Sequence, residues 1–238
     1  MISIKPISVG IFIFNDVEVL DFTGPFEVFS TTRKQAGDEE QYLYSVSLIG
    51  PNDDAIKTRG GMEVKPHFSI SSHPPMDRLI IPGGYGTRPL MHHKPVIEWI
   101  RSFDQKRTQL ASVCTGSLLL ASAGHLDGKR ATTHWTVLDM MEESFPEVQV
   151  DRDSHVIIDE TVFTSAGVSA GIDLALQMVR LDFGEAQADW TARHIEYAFD
   201  SDNFQRRLAI NRSCLKFYHI ILGMNSSLEF LKLSIFPI

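Results

Sequence analysis

At 238 residues the chain is long enough to bury a full core without disulfides or structural metal. Its formal net charge of -8, with 22 Lys and Arg against 30 Asp and Glu, argues against a general nucleic-acid or anionic-membrane surface, because both recruit basic residues. Two cysteines, Cys114 and Cys214, are too few for a disulfide framework, and no uncharged apolar run approaches the ~20 residues of a membrane span. The apolar opening Val9 to Phe14 leads into Asn15-Asp16 and not into a cleavage site, so a cytoplasmic protein is expected.

Short apolar, β-rich runs alternate with helix-like runs, which predicts a doubly wound α/β sheet. Ser8 to Phe14 is almost wholly apolar, as a strand covered on both faces should be. Gly24-Pro25 predicts a helix start, with Gly24 as N-cap and Pro25 at the first helical position. Leu43 to Gly50 reads as a second strand, Ile56 to Phe68 as a hairpin turned at Gly60-Gly61, and Arg78 to Ile81 as a buried strand stopped by Pro82-Gly83-Gly84. Pro95 to Lys106 has helical spacing. Gln109 to Val113 is another buried strand ending at Cys114, followed by a short helix from Gly116 to Ala123. Beyond it come a short strand (Lys129 to Thr133), a helix (His134 to Glu143), a hairpin turned at Asp159-Glu160 (His155 to Ser165) and two helices (Ser169 to Leu181 and Gly184 to Tyr197). The signal weakens from about Ile210. Residues 1–200 are expected to form one domain and 201–238 a C-terminal extension whose structure the sequence does not assign.

Three of these strands end in unusual segments, and ligands of open α/β sheets bind outside the carboxyl ends of strands. They are Leu20-Asp21-Phe22-Thr23-Gly24-Pro25, Pro82-Gly83-Gly84-Tyr85-Gly86 and Cys114-Thr115-Gly116-Ser117. Parallel, adjacent strands would bring a carboxylate, a glycine turn and a thiol to one corner. Ser112 two places before Cys114 and Gly116 two places after it meet the steric demand of a nucleophile elbow. The following helix N-terminus is expected to favour the thiolate and lower the thiol pKa. Asp21, beside it, would raise that pKa unless its own carboxyl is protonated, donating to sulfur and shuttling the proton. The backbone N–H groups of Gly84 and Thr115 are candidate donors to developing negative charge. The Thr115 hydroxyl either reaches substrate or acid, or caps the helix at Gly116.

Cys114, Asp21 and Thr115 are thus the candidate catalytic residues. Gly83, Gly84, Tyr85 and His134 are the candidate substrate-binding residues, with a structural hydrogen bond as the simpler role for His134. Asp173, inside an apolar helix, requires a buried partner. Nine scattered histidines without H-E-x-x-H spacing predict no metal site. The absence of a Walker A loop and of G-x-G-x-x-G leaves no nucleotide site, and no cofactor is expected.

The segments Leu20–Pro25, Ile80–Gly84, Val113–Ser117, Gly128–Trp135 and Ser169–Asp173 together resemble the ThiJ/PfpI superfamily, within the class I glutamine-amidotransferase-like folds. The resemblance runs from Val9 to about Tyr197. It implies a flavodoxin-like three-layer sandwich, with helices on both faces of a mostly parallel sheet and a nucleophile elbow. Within the superfamily the pattern is most similar to the isonitrile hydratases. That similarity implies a homodimer acting on a small-molecule substrate, an isonitrile, which it hydrates to an N-substituted formamide. Cys114 would attack the isonitrile carbon, Asp21 would carry protons and Thr115 would position acid or substrate. Protease-like members carry His directly after the cysteine; Thr115 stands there, which disfavours a Cys-His mechanism. The same segments occur in ligand-sensing domains of AraC-type regulators, where paired helix-turn-helix motifs follow; the roughly 40 residues after Tyr197 are too few for them. A third expectation is a glyoxalase- or chaperone-like stress protein that uses the cysteine for oxidation sensing or deglycation.

Overall fold

The computed structural model describes residues 5–36 and 39–201. The proposed C-terminal extension from residue 202 onward, and Cys214 with it, lies outside the described residues. A seven-stranded sheet is built from β1 (Ile7–Phe12), β2 (Tyr44–Gly50), β3 (Phe68–Ser69), β4 (Arg78–Ile81), β5 (Gln109–Val113), β6 (Val156–Asp159) and β7 (Val162–Ser165). Their spatial order is β6-β7-β5-β4-β1-β2-β3, and every adjacent pair is parallel except the β6–β7 hairpin. Ile11, Phe12, Ile13 and Phe14 are each at most 1% exposed. Successive strand side chains point to opposite faces, so this run demands cover on both sides. Each large side chain buried there contributes about 1.5–3 kcal/mol.

The cover comes from helices α1 (Val19–Thr31), α2 (Thr87–Leu90), α3 (Lys94–Arg101), α4 (Gly116–Ser122), α5 (Leu138–Ser144), α6 (Ala170–Phe183) and α7 (Glu185–His194). Helices α1, α6 and α7 pack on one another, and α2, α3 and α4 form a second group. Helix α6 runs the length of the sheet. Near its end Asp182 accepts a hydrogen bond from Tyr44 Oη (2.8 Å) and pairs with Arg78, the first residues of β2 and β4. Its first turn therefore lies at the opposite, carboxyl end of the strands. The order reverses between β1 and β4, the position at which open α/β sheets leave a crevice.

Strands β4 and β5 have the expected bounds, and both hairpins turn where the sequence places them, at Gly61 (φ 86°) and Glu160 (φ 51°), but the first ends at Val64 and Phe68 belongs to β3 of the main sheet. The main departure is α1, which begins at Val19 and not at Gly24-Pro25. Val17 bridges to Gly84 and Glu18 is extended (φ -72°, ψ 128°), so tertiary pairing starts the helix earlier. Pro25 then sits inside α1, where it removes the backbone bond to the carbonyl of Asp21, four residues back. This shift puts Asp21 in the first turn. The expected strand at Lys129 to Thr133 shrinks to Arg130–Ala131, paired with Gln149–Val150 outside the main sheet. The expected helix at His134 divides into a 3-10 turn, Trp135–Val137, and α5. A hairpin of Arg33–Ala36 with Glu39–Tyr42, and the single turn α2, have no counterpart among the sequence expectations. Among the described residues no helix is long and apolar enough to cross a membrane.

Candidate active site

Strand β5 ends in a corner at which Cys114 takes φ 57°, a left-handed backbone that a side chain rarely adopts. The corner is held from three directions. The Cys114 N–H donates to the carbonyls of Ser165 (3.1 Å) and Ala166 (3.0 Å) at the end of β7, and its own carbonyl accepts from Thr133 Oγ1 (3.1 Å). Gly116 brings α4 against β4: a Cβ there would lie 1.9 Å from the Ile81 carbonyl oxygen. This is the close helix–strand approach that the elbow's small residue permits.

Thr115 is buried and its hydroxyl is committed to the glycine loop. It accepts the Gly84 N–H (3.0 Å) and reaches the Gly84 carbonyl (3.2 Å), with Thr87 Oγ1 3.1 Å away. It makes no cap to α4. The Gly84 N–H is therefore not the free donor expected from the sequence. Asp21 is fully buried, and its Oδ2 accepts the Gly83 N–H (3.0 Å). Its Oδ1 is buried without a hydrogen bond of normal length. The Cys114 thiol and the Val168 N–H both interact with this carboxyl. Acid, thiol, glycine loop and Thr115 thus meet at one end of the sheet.

Gly83 is the residue that lets them meet. A Cβ on it would stand 2.5 Å from Thr115 N and 2.8 Å from Asp21 Oδ2. Gly83→Ala is expected to force these groups apart and destabilise the fold by about 1–3 kcal/mol. Urea unfolding reads this directly; an unchanged midpoint would mean that the loop yields.

Burial sets the electrostatics. Desolvation raises the Asp21 carboxyl from 3.8 to about 7, against the opposing effect of the Gly83 and Val168 N–H groups. Desolvation, and after it the Asp21 charge, push the Cys114 thiol well above its ordinary value, against the Thr115 and Val168 N–H groups. The expected lowering by the helix N-terminus is overturned, because at 6% exposure the lost hydration outweighs a few oriented dipoles. At neutral pH the sulfur keeps its proton while Asp21 titrates.

Tyr85 stands at the rim and not in the wall, with 56% of its surface exposed. The Arg59 guanidinium lies 4.2 Å from its ring centroid, bonds its hydroxyl (3.2 Å) and pairs with Glu18 (2.9 Å). Arg59 is close enough for its charge to be felt by Cys114. His134 bonds Thr136 Oγ1 through Nδ1 (2.7 Å) and packs on Gly167, where a Cβ would fall 2.2 Å from its Cδ2. It backs the loop that carries Val168. Asp173 accepts a hydrogen bond from Tyr197 Oη (3.0 Å), with His155 Nε2 3.6 Å away. Val168 and Arg59 are the site neighbours that the sequence reading passes over. Val168, at φ 50°, is a β-branched residue in a strained conformation, a frequent mark of a functional corner. The one available signal was the end of β7 at Ser165-Ala166-Gly167, a fourth strand terminus beside the other three.

The DJ-1/PfpI family model matches residues 7–181. The chain is 34% identical over 199 residues to the isonitrile hydratase of Pseudomonas putida, covering 82% of each protein. It is 33% identical over 138 residues to the HTH-type transcriptional regulator CdhR of Pseudomonas aeruginosa, covering 58% of this chain and 40% of the regulator. Among solved structures, a ThiJ/PfpI family protein from Pseudomonas syringae superposes with a TM-score of 0.73 at 22% identity, over 92% of this chain and 88% of that one. Sheet order, elbow and sequence similarity agree: this chain belongs to the DJ-1/PfpI family.

Proposed function

We propose that the protein is a cysteine-dependent isonitrile hydratase. The reading rests on one observation above all, a buried thiol and a buried carboxyl held together at one strand end, with burial favouring the protonated form of both. Its similarity to a named isonitrile hydratase supports the same reaction. An isonitrile carbon must receive a nucleophile and a proton at the same atom, and a paired thiol and proton carrier supply both.

In this mechanism the Asp21 carboxylate takes the thiol proton as Cys114 Sγ bonds to the isonitrile carbon, then delivers that proton to the same carbon. The product is an S-linked thioimidate. Water adds to its carbon, with one water proton passing through Asp21 to nitrogen. The remaining hydroxyl proton returns through Asp21 to sulfur as the C–S bond breaks, which releases the N-substituted formamide and restores the thiol. Thr115 holds the glycine loop that carries the Asp21 partner Gly83. The acceptor is a small molecule, and we infer a cytoplasmic homodimer as its working form.

The test is formamide production from a p-substituted phenyl isocyanide. Because the carboxylate is the active form of Asp21, kcat/KM is expected to rise with pH through about 7 and then level off. A profile that falls across this window would contradict the assigned role. If several isonitriles bind without turnover, the ligand-sensing reading suggested by the similarity to CdhR takes its place.

A further inference from the structure

Behind the elbow lies a second buried polar cluster that the proposed chemistry does not use. Asp173 projects from the first turn of α6, His155 precedes β6 and Tyr197 follows α7. Asp173 and His155 are 4% and 7% exposed, and Tyr197 Oη donates to Asp173 Oδ2. Buried polar groups of this kind are retained where they fix a conformation.

The conformation at stake is the loop from Ala166 to Ser169. At one end the Ala166 N–H donates to the His155 carbonyl (2.7 Å), while the Ala166 carbonyl accepts from Cys114. At the other end the chain enters α6 through successive tight turns, with Ala170 N–H on Gly167, Gly171 N–H on Val168 and Ile172 N–H on Ser169. Between them Val168 is held at φ 50°, with its N–H close enough to Cys114 and Asp21 to favour the ionised form of each. A β-branched residue stays in that conformation only when its surroundings over-determine it. His155 therefore grips the loop through its backbone, and Asp173 grips the helix into which the loop runs.

We propose that Asp173, anchored by Tyr197 and facing His155, is a positioning residue that fixes the Val168 N–H against the thiol–carboxyl pair. This inference rests on the proposed site but not on isonitrile chemistry. The groups that face the pair from neighbouring elements are Glu18 ahead of α1, Arg59 from the hairpin and the Gly83 and Thr115 N–H groups, and none of them belongs to this cluster. A displaced Val168 N–H would remove support from the ionised pair and leave these other influences in place.

The test is alkylation of the full-length protein by iodoacetamide, followed by mass spectrometry on the Cys114 peptide so that Cys214 does not contribute. In wild type the rate is expected to rise with a midpoint near 7, because above it the Asp21 carboxylate can take the thiol proton as the sulfur is alkylated. In Asp173→Asn the midpoint is expected to move up by about half a unit or more, slowing alkylation about threefold on the acid side. Tyr197→Phe, which keeps the ring, is expected to move it the same way by less. A midpoint unchanged in both variants, whatever happens to amplitude or stability, overturns the proposal. Should Asp173→Asn fail to fold, Tyr197→Phe alone decides. A shifted midpoint in a protein that makes no formamide would retain the positioning role and reject the hydratase.

Discussion

Cys114→Ala is expected to lose formamide production by a factor on the order of 10⁴ or more, because the covalent route disappears with the sulfur. The fold is expected to survive, since the side chain is small and its backbone is held by Ser165, Ala166 and Thr133. Backbone conformation adds a control. In most positions glycine is less stable than alanine, but at φ 57° alanine retains strain that glycine relieves. Cys114→Gly is therefore expected to match or exceed Cys114→Ala in stability, by up to about 1–2 kcal/mol, with both inactive. Denaturant unfolding and product assay together check this, and substantial turnover by either variant would end the thioimidate mechanism.

The second large effect is a trade between activity and stability at Asp21. Asp21→Asn is expected to reduce kcat/KM by about 10²- to 10⁴-fold, the usual contribution of a positioned proton carrier. It is also expected to stabilise the protein at alkaline pH. The folded carboxyl titrates at about 7 and the unfolded one at 3.8, so the folded state holds the proton more tightly. Stability from this group is full below 3.8 and is lost as pH rises to 7, in total by about 4 kcal/mol. Asparagine never ionises and escapes the loss. The gain over wild type should thus be small near pH 4 and reach its full value above 7. Unfolding measured at both extremes tests the sign, and a gain that shrinks as pH rises would show that burial does not control this carboxyl.

The parts of the fold legible in the sequence are those whose signals are local. β4 and β5 are apolar runs closed by Pro82-Gly83-Gly84 and by Cys114-Thr115-Gly116, and their bounds could be read directly. The convergence of Asp21, Gly83 and Cys114 was legible for a topological reason, since parallel strands share a carboxyl end. What escaped depends on distant partners. Gly24-Pro25 looks like a helix start, but Val17 pairing with Gly84 begins α1 at Val19. Thr115 looks like a cap, but its hydroxyl is taken by a glycine 31 positions away. The thiol next to a helix N-terminus looks activated, but the depth of burial reverses the sign. Val168 carries no signature because valine in a left-handed conformation is imposed by the surrounding structure and not by its own preference.

A cysteine that is 6% exposed, with its thiol pushed well above its ordinary pKa by burial, also has a chemical temperament. Peroxide attacks thiolate, so such a group is slow to reach the sulfenic state. Preparations kept in air are expected to retain reduced Cys114 without added reductant, as intact mass would show. A gauge of oxidative stress needs the reverse, an open and ionised sulfur. On the proposed mechanism, the depth that requires an acid to ferry the proton also keeps the thiol from ready oxidation.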